Sequence, residues 1–451
     1  MKTVLFVTFH FPPSNKVAAR RTGGLAKYLP LYGWRVVVLT PRQLTRRPGS
    51  FEVLESEYED KVQDWRRLLH LHSGDSLSRP QTSGRAMSPT LLQRLRAWVV
   101  VSVRDVLTYP EPAWGWRRPA VREGKRFLAK EGADVILSSL GPLACHAVAS
   151  TLARDSRLPW VADYRDPWSA NPFMTSHGWV LRAVDRRLEA RVTAAASAFV
   201  GVSDAIVRDL ARHHPDARTF LVPNGYDPDE EAMNSVSLDT AFTIAHFGSL
   251  HGMKRDPSIL FEAVALLIGQ GLMRRSDVRI GFYGPMESNV DTLLRTHGLE
   301  GVVVQHGPVS RDEALAAERT AQILLIVLWS SADDTWQIAA KVFEYLAARR
   351  PILAVGSRKG ELSDLLSTTR TGLQVTTVAD AATWVLAAYR EYVKNGRVGL
   401  TRDETAVEQY SQVQMAKRVA EALDYACGLH AGCDTTWSSQ DSTADSMSRS
   451  V

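Results

Sequence analysis

Short, nearly continuous apolar runs separated by helical stretches restrict the fold of this sequence more than any other feature. In the first half the runs are "TVLFVTF", "WRVVVLTP", "ADVILSSL", "WVADYRD", "AFVGVSD" and "FLVPNGYD", with helical spacing at 18–31 and 179–198. Runs that are apolar on both faces predict parallel strands covered by helices on each side of a sheet. The first half therefore predicts a doubly wound α/β domain.

The same alternation starts again after residues 227–240, where turn-forming and acidic residues interrupt it. The second series is "FTIAHFGSL", "VRIGFYGPM", "VVVQHGPV", "AQILLIVLW", "RPILAVG" and "TGLQVT", with helices predicted at 257–268 and 311–319. Two Rossmann-like domains are expected, at 1–230 and 240–405, because 451 residues exceed one ordinary core. Ligands of such sheets bind at the carboxyl ends of the strands, which predicts a site in the cleft between the domains.

Residues 42–105 do not follow the alternation and are expected to form an insertion, with a Ser/Pro/Gly/Arg-rich stretch at 73–88. Residues 88–107 predict an apolar helix that begins at Ser88 and carries several arginines. One interpretation is a helix that covers the N-terminal sheet. The other is a helix at a membrane surface, where the arginines meet lipid phosphates.

The C-terminal end predicts a last helix followed by a tail. In 406–428, Ser411 suits the start of a helix with an apolar stripe and Gly428 suits its end. We expect this helix to pack back on the N-terminal domain. Residues 429–451 are small and polar and predict disorder.

Charge and cysteine content narrow the class of protein. A net charge of +5 favours anionic partners without selecting one, and the scattered basic residues accompany no nucleic-acid recognition motif. Cys145, Cys427 and Cys433 lack metal-ligand or disulfide spacing, which indicates a reducing cytoplasm.

The first apolar run contains polar residues and ends in two prolines, so it predicts a buried strand rather than a signal peptide. No run is long enough to span a bilayer. A cytoplasmic protein is expected, with contact to the inner face of the plasma membrane through 88–107 as an open alternative.

Two loops of the first domain follow predicted strands and carry polar side chains. "FHFPPSNKVAARR" lacks both G-x-G-x-x-G and a P-loop lysine, and we interpret its Arg20 and Arg21 as solvated helix residues. "ADYRDPW" places Asp163, Arg165 and Asp166 at the end of the fourth run. These charges suit a cleft that binds hydroxyls or a developing charge, although a solvated turn with a weak ion pair also explains them.

Two segments of the second domain also carry charged side chains after predicted strands. In "HFGSLHGMKRDP", Gly248 permits close approach of a ligand, and Lys254 and Arg255 suit a diphosphate or form an ordinary basic loop. In "TWQIAAKVFEYLAARRPILAVG", residues 338–348 predict a helix in which Lys341 and Glu344 share a face. A weak intrahelical pair is one interpretation. A phosphate bound between Lys341 and the helix N-terminus is the other.

Four of these segments together resemble the retaining family-four glycosyltransferases of the GT-B fold, in the bacterial branch that builds O-antigens, capsules and exopolysaccharides. They are "FPPSNKVAARRTGGLAKYLPLYGWRVVVLT", "LPWVADYRDPW", "VPNGYD" and "KVFEYLAARRPILAVG", in the order that the family has them. The resemblance covers about residues 1–428. It implies two Rossmann-like domains facing across a cleft, a nucleoside diphosphate sugar bound mainly by the second domain, and a saccharide or lipid-linked acceptor on the first.

The resemblance also implies roles for single residues. The glutamate that holds the ribose falls on Glu344, Lys341 faces the diphosphate, and the backbone near Val309 touches the base. The implied donor site comprises Ser14, Asn15, Gly248, Ser249, Gly284, Val309, Lys341, Phe343 and Glu344. The implied catalytic candidates are Asp163, Arg165, Asp166, Lys254 and Arg255.

The sequence departs from the family pattern at three positions. Trp336 stands where the first glutamate of E-x7-E is expected, Ser249 replaces an arginine, and Arg165 replaces a histidine that some members carry. Asp227-Pro228-Asp229 resembles a metal-binding D-x-D, but it continues the "PNGYD" loop. Enzymes of this fold generally need no metal, so we expect no metal and no cofactor.

The working hypothesis is sugar transfer from a nucleoside diphosphate sugar to a hydroxyl of a lipid-linked saccharide in cell-surface polysaccharide synthesis. A nucleotide-sugar epimerase of the same fold is the first alternative. A degenerate transferase that acts as a non-enzymatic assembly factor is the second, motivated by Trp336 and Ser249. The sequence identifies neither the sugar nor the base.

Overall fold

The computed structural model describes residues 1–14, 16–42, 51–58, 109–169, 179–231, 237–252, 254–329, 340–356 and 360–428. Several predictions lie outside these residues. They are the roles of Asn15 and Trp336, the stretch 73–88, the helix 88–107 and the tail 429–451.

The first domain is built on a seven-stranded parallel sheet with the order β3-β2-β1-β4-β5-β6-β7. Its strands are β1 (Lys2–Val7), β2 (Trp34–Pro41), β3 (Glu52–Ser56), β4 (Val135–Ser139), β5 (Trp160–Tyr164), β6 (Ala198–Gly201) and β7 (Arg218–Leu221). Its helices are α1 (Val17–Tyr28), α2 (Arg117–Lys130), α3 (Ala144–Ser156), α4 (Trp179–Thr193), α5 (Asp204–His213) and, within the linker that joins β7 to β8, α6 (Pro228–Glu231).

The apolar runs form the central strands because both sheet faces are covered. Leu5 and Val7 pack on one face with α3, whereas Val4 and Phe6 pack on the other with α1. All four side chains are fully buried. This is the two-sided burial that continuous apolar strands predict.

The second domain repeats the arrangement with a six-stranded parallel sheet of order β10-β9-β8-β11-β12-β13. Its strands are β8 (Phe242–Phe247), β9 (Val278–Tyr283), β10 (Val303–Gly307), β11 (Ile323–Val327), β12 (Ile352–Val355) and β13 (Gly372–Val375). Its helices are α7 (Ser258–Gly269), α8 (Ser288–Thr296), α9 (Arg311–Thr320), α10 (Lys341–Ala348), α11 (Glu361–Thr369), α12 (Val378–Asn395) and α13 (Glu404–Glu408).

The last helix, α14 (Gln412–Ala426), returns to the first domain and packs against α1. Ser411 caps it by accepting a hydrogen bond from Gln414 N at 3.2 Å. The cap also touches the linker, because Gln412 N donates to Tyr226 O at 2.8 Å. Both crossings between the domains therefore meet at one place, beside the C-terminal half of α1, where Gln412 lies against Gly24 and Asp227 pairs with Lys27.

The α/β fold with two parallel sheets is confirmed, and both strand orders change direction next to β1 and β8. One prediction is wrong in part: residues 42–105 are not wholly an insertion, because Glu52–Ser56 forms the edge strand β3 beside β2. Its burial is incomplete, as expected for an edge, so its sequence lacks the continuous apolar run of the other strands. Among the described residues, no helix is long and apolar enough to cross a membrane.

Candidate active site

The two domains meet through an ion pair between Arg20 of α1 and Glu344 of α10. Arg20 lies in the first turns of the helix that follows β1, and Glu344 lies in the first turn of the helix after β11. Each helix therefore starts at the carboxyl edge of its sheet, next to the change in strand order, where ligands of such sheets bind. The solvated position expected for Arg20 is wrong, because Glu344 is 8% exposed and draws the guanidinium into the cleft.

Glu344 also belongs to a charged cluster inside the second domain. Lys341 Nζ lies 2.6 Å from Glu344 Oε2 and 3.0 Å from Glu318 Oε1. Glu318 is fully buried, and burial raises its pKa while Lys341 opposes the shift. Burial likewise lowers the pKa of Lys341, against the attraction of Glu318. The intrahelical pair considered from the sequence is thus present, but it extends to α9 and across the cleft.

A cavity of 210 Å³ lies beside this cluster, between the domains. Arg20, Phe343 and Glu344 line it, together with Arg311 of α9 and the linker residue Glu230. Arg311 and Glu230 form a second ion pair across the cavity wall. Burial and the nearby charge of Arg311 lower the pKa of Arg20 to about 10. Positively and negatively charged side chains therefore both line the cavity, and their charges offset each other.

Asp163 does not reach this cavity. Its carboxylate accepts hydrogen bonds from Arg21 Nη2 at 2.7 Å and from Ser139 Oγ at 2.9 Å, and its side chain is fully buried. Arg21 in turn donates to Val222 O at 3.1 Å. The geometry gives Asp163 a role in holding α1, β5 and the linker together, which corrects the expectation of substrate contact. Arg21 is buried for the same reason, contrary to its expected solvation.

Arg165 is also occupied with the protein itself. Its guanidinium donates to Leu140 O and Gly141 O, the latter at 2.8 Å, and so fixes the loop after β4. Burial lowers its pKa, while the charge of Asp166 opposes the shift. Asp166 is half-buried beside it. Ser14 is half-buried at the start of the loop before α1, where its Oγ accepts from Lys16 N at 3.4 Å.

Lys254 lines a second cavity, of 370 Å³, beyond the end of β8, and Arg255 is the next residue along the chain. Both cations lie over the ring of Trp329, at 5.5 and 5.7 Å from its centroid. Burial lowers the pKa of His246 to about 4, and the charges of Arg255 and Lys341 add to the shift, so both cations act on this buried residue of β8. The structure therefore places Lys254 and Glu344 in neighbouring cavities rather than in one.

The backbone of this second cavity is held tightly. Glu287 accepts from Ser249 Oγ at 3.2 Å and from Gly252 N at 2.8 Å, which fixes the loop after β8. Gly248 has a φ of 126°, and a Cβ on Gly284 would lie 2.3 Å from Gly248 O. The backbone conformation therefore favours glycine at 248, and the close approach of the loops after β8 and β9 requires glycine at 284.

Three stacked rings cross the carboxyl edge of the second sheet. Phe247 stacks on Tyr283 with ring centroids 4.6 Å apart, and Tyr283 stacks on His306 at 4.2 Å. Lys341 Nζ lies 5.6 Å from the centroid of Phe247. The row leads from Lys341 toward the loop that contains Val309, which precedes the capping box of α9 at Ser310.

Two titratable groups near the first domain's strand ends were not predicted as site residues. Burial, with the charges of Lys16 and Arg165, lowers the pKa of His10 to about 4, so His10 is neutral at pH 7. Glu111 accepts from Ala144 N at 2.7 Å, and burial raises its pKa to about 7. A single carboxylate between prolines gives no periodic signal, which is why the sequence did not reveal it.

The Asp227-Pro228-Asp229 segment binds a side chain of the protein. Lys27 Nζ lies 2.9 Å from Asp227 Oδ2 and 2.5 Å from Asp229 Oδ2. Within the part of the chain that the structure describes, no group of three or more His, Cys, Asp or Glu side chains is arranged to hold a metal ion.

One model of a protein family matches most of the first domain. Residues 18–230 match the model of Glycosyltransferase Family 4. This range runs from α1 to the linker and includes Arg20, Asp163 and Glu230. A search of curated proteins found no match to the sequence.

Solved structures of the same fold cover nearly the whole chain. HepE from Anabaena, with UDP and glucose bound, is 14% identical over 94% of this chain and 100% of its own, with a TM-score of 0.54. The lipopolysaccharide outer core galactosyltransferase WaaB is 10% identical over 94% and 99%, with a TM-score of 0.52. WaaG, a glycosyltransferase involved in lipopolysaccharide biosynthesis, is 13% identical over 93% and 99%, with a TM-score of 0.51. The chain has the GT-B fold.

Proposed function

We propose that this protein is a glycosyltransferase that moves a sugar from a nucleoside diphosphate sugar to a hydroxyl of a saccharide acceptor. The observation that carries the proposal is the position of Glu344. It stands in the first turn of α10, at the change in strand order of the second sheet, with Lys341 beside it and the first domain opposite. A Glycosyltransferase Family 4 match in the first domain supports the same reaction.

The chemistry of the second domain suits each part of the donor. A carboxylate held by a neighbouring lysine accepts hydrogen bonds from two ribose hydroxyls. Lys254 and Arg255 supply positive charge for a diphosphate, and the glycine-dependent loop after β8 presents backbone to it. Such groups stabilise the charge that develops on the leaving diphosphate without any covalent step by the protein. The UDP and glucose bound by HepE, a protein of the same fold, support a donor of this class.

The remaining features of the proposal concern the acceptor and the reaction course. We propose a lipid-linked saccharide of cell-surface polysaccharide synthesis as acceptor, retention of configuration, and catalysis without a metal or cofactor. The lipopolysaccharide roles of WaaB and WaaG support this acceptor class. The proposed location is the cytoplasm, with contact to the inner face of the plasma membrane.

A donor screen tests the binding half of this proposal. UDP, GDP and ADP, each free and attached to hexoses, are added to the protein while its melting temperature is followed. We expect stabilisation by nucleotides of one base, and a much smaller shift with Glu344→Ala. A matched control, Glu123→Ala, removes a carboxylate from an exposed ion pair of α2 and should respond like the wild type. Absence of stabilisation by every nucleotide would contradict the proposed function.

A further inference from the structure

The cavity between the domains is too small for the donor that the proposed function requires. Its volume is 210 Å³, whereas pockets for ligands of this size measure roughly 300–1,000 Å³. Arg20 and Glu344 close its wall from opposite domains. A nucleoside diphosphate sugar can bring its ribose to this side of Glu344 only if Arg20 gives up the ion pair.

Both carboxylate oxygens of Glu344 are engaged in this closed arrangement. Lys341 Nζ lies 2.6 Å from Oε2, and Arg20 pairs with Oε1. The lysine belongs to the same helix and moves with Glu344, so it does not obstruct a ligand. Arg20 occupies the oxygen that a ribose hydroxyl would need. Ribose binding and the Arg20 pair therefore exclude each other.

Release of Glu344 would leave Arg20 in need of an anion. The arginine is largely buried, and Arg311 is the cation whose charge disfavours its protonated form. Two other acidic groups act on Arg20, and each has a cation of its own: Glu230 is paired with Arg311, and Glu318 with Lys341. A phosphate group satisfies a guanidinium with two parallel hydrogen bonds, and the donor brings its diphosphate together with its ribose.

We propose that Arg20 is a donor-positioning residue that exchanges partners: it pairs with Glu344 while the donor is absent and binds the donor diphosphate once Glu344 takes the ribose. The exchange rests on the proposed function, since it needs a nucleoside diphosphate. It links donor occupancy to the spacing of the two domains, because Arg20 belongs to the first domain and Glu344 to the second.

The first test measures domain spacing without any nucleotide. Small-angle X-ray scattering is recorded for the wild type, Arg20→Gln, Arg20→Lys and Arg126→Gln, the last removing an exposed arginine of α2. We expect a larger radius of gyration for Arg20→Gln, whereas Arg20→Lys and Arg126→Gln should match the wild type. Equal profiles for Arg20→Gln and wild type would overturn the closing role of the pair, whatever the protein catalyses.

The second test separates the nucleoside from the phosphates by calorimetry. The probes are uridine, guanosine and adenosine with UDP, GDP and ADP. For the base that binds, Arg20→Gln should bind the nucleoside about threefold more tightly, since Glu344 is free. Its preference for the diphosphate over the nucleoside should fall by about tenfold or more, and Arg20→Lys should retain part of that preference.

The outcomes distinguish the two proposals. If the wild type binds none of the six probes, the proposed function is wrong and the exchange falls with it. If the wild type binds a nucleotide but Arg20→Gln keeps the wild-type preference for the diphosphate, Arg20 does not contact the phosphates and only the exchange is overturned. If Arg20→Gln binds the nucleoside and the diphosphate more tightly by the same factor, the exchange is likewise overturned. Circular dichroism spectra and melting temperatures of each variant establish that only folded proteins enter the comparison of affinities.

Discussion

Arg21 and Asp163 form a buried ion pair that fastens α1 to the end of β5. Arg21 Nη2 lies 2.7 Å from Asp163 Oδ1, and the two residues are 3% and 0% exposed. The same guanidinium donates to the carbonyl oxygens of Val222 and Pro223 at the start of the linker. The pair therefore holds the helix that carries Arg20 in place, with Arg21 at the wall of the cavity between the domains and Asp163 outside it.

Loss of this ion pair should lower the free energy of unfolding, because its role is to hold the structure and not to contact the substrate. Asp163→Asn leaves Arg21 as a buried cation without its counter-ion, which costs about 3 kcal/mol in the free energy of unfolding. Urea unfolding at pH 7 measures the change. Asp166→Asn, which alters a half-buried carboxylate three residues farther on, should cost less than about 1 kcal/mol. Equal stability of Asp163→Asn and wild type would refute the structural role given to Asp163.

Gly284→Ala should disrupt the loop after β8 without disturbing the core. The added Cβ would lie 2.3 Å from Gly248 O, a backbone atom that cannot move aside alone. We expect a loss of about 1–3 kcal/mol in unfolding free energy and weaker nucleotide binding. Gly269→Ala is the matched control, since a Cβ there meets nothing within 4 Å, and it should leave binding unchanged. Unaltered nucleotide affinity in Gly284→Ala would argue against a donor at this loop.

Glu111 should make stability depend on pH in a defined direction. Burial raises its pKa from 4.5 to about 7, so the folded protein holds this proton more tightly than the unfolded chain. The resulting stabilisation is fully present below about pH 4.5 and is lost as the pH rises through about 7. Between pH 5 and 8, the wild type should lose on the order of 2 kcal/mol relative to Glu111→Gln, which does not titrate.

Chemical unfolding of both proteins at several pH values measures this difference. A wild type that gains stability relative to Glu111→Gln with rising pH would contradict the account, because it would mean that the folded protein favours the charged carboxylate. Parallel curves would mean that the pKa of Glu111 is the same in the folded and unfolded states.

Lys254 should contribute to diphosphate binding and not to nucleoside binding. Its side chain is exposed at the second cavity, over Trp329, where it can reach a ligand phosphate. Lys254→Ala should weaken the affinity for a nucleoside diphosphate about tenfold, and added salt should reduce the difference from wild type. Lys125→Ala, an exposed ion-pair variant on α2, should bind as the wild type does. Calorimetry at two salt concentrations checks this, and a salt-independent deficit would point to a packing role.

The sequence pattern predicted the strands correctly wherever they are buried on both faces of a sheet. Val4 and Phe6 on one side of β1, with Leu5 and Val7 on the other, give a run that only a covered parallel strand explains. The edge strand β3 was missed because its exposed residues, such as Glu52, break the run. Its position depends on pairing with β2, a tertiary contact that local pattern does not contain.

The site was predicted less completely, for a related reason. Lys341 and Glu344 are three residues apart on one helix, so their proximity could be read from spacing alone. Arg20 and Glu344 are separated by more than three hundred residues, and only the packing of the domains brings them together. Arg20 and Arg21 are neighbours in sequence, yet one faces the cleft and the other Asp163, because successive helix residues point in different directions.

Sugar transfer itself tests the central claim most directly. Radiolabelled nucleoside diphosphate sugars of the base that binds are incubated with the protein and a bacterial membrane lipid extract, and label in the lipid fraction is counted. We predict label transfer by the wild type, and a reduction of at least about a hundredfold for Glu344→Ala, which loses a charge-assisted contact to the donor. No transfer from any donor that the protein binds, or equal transfer by Glu344→Ala, would contradict the account.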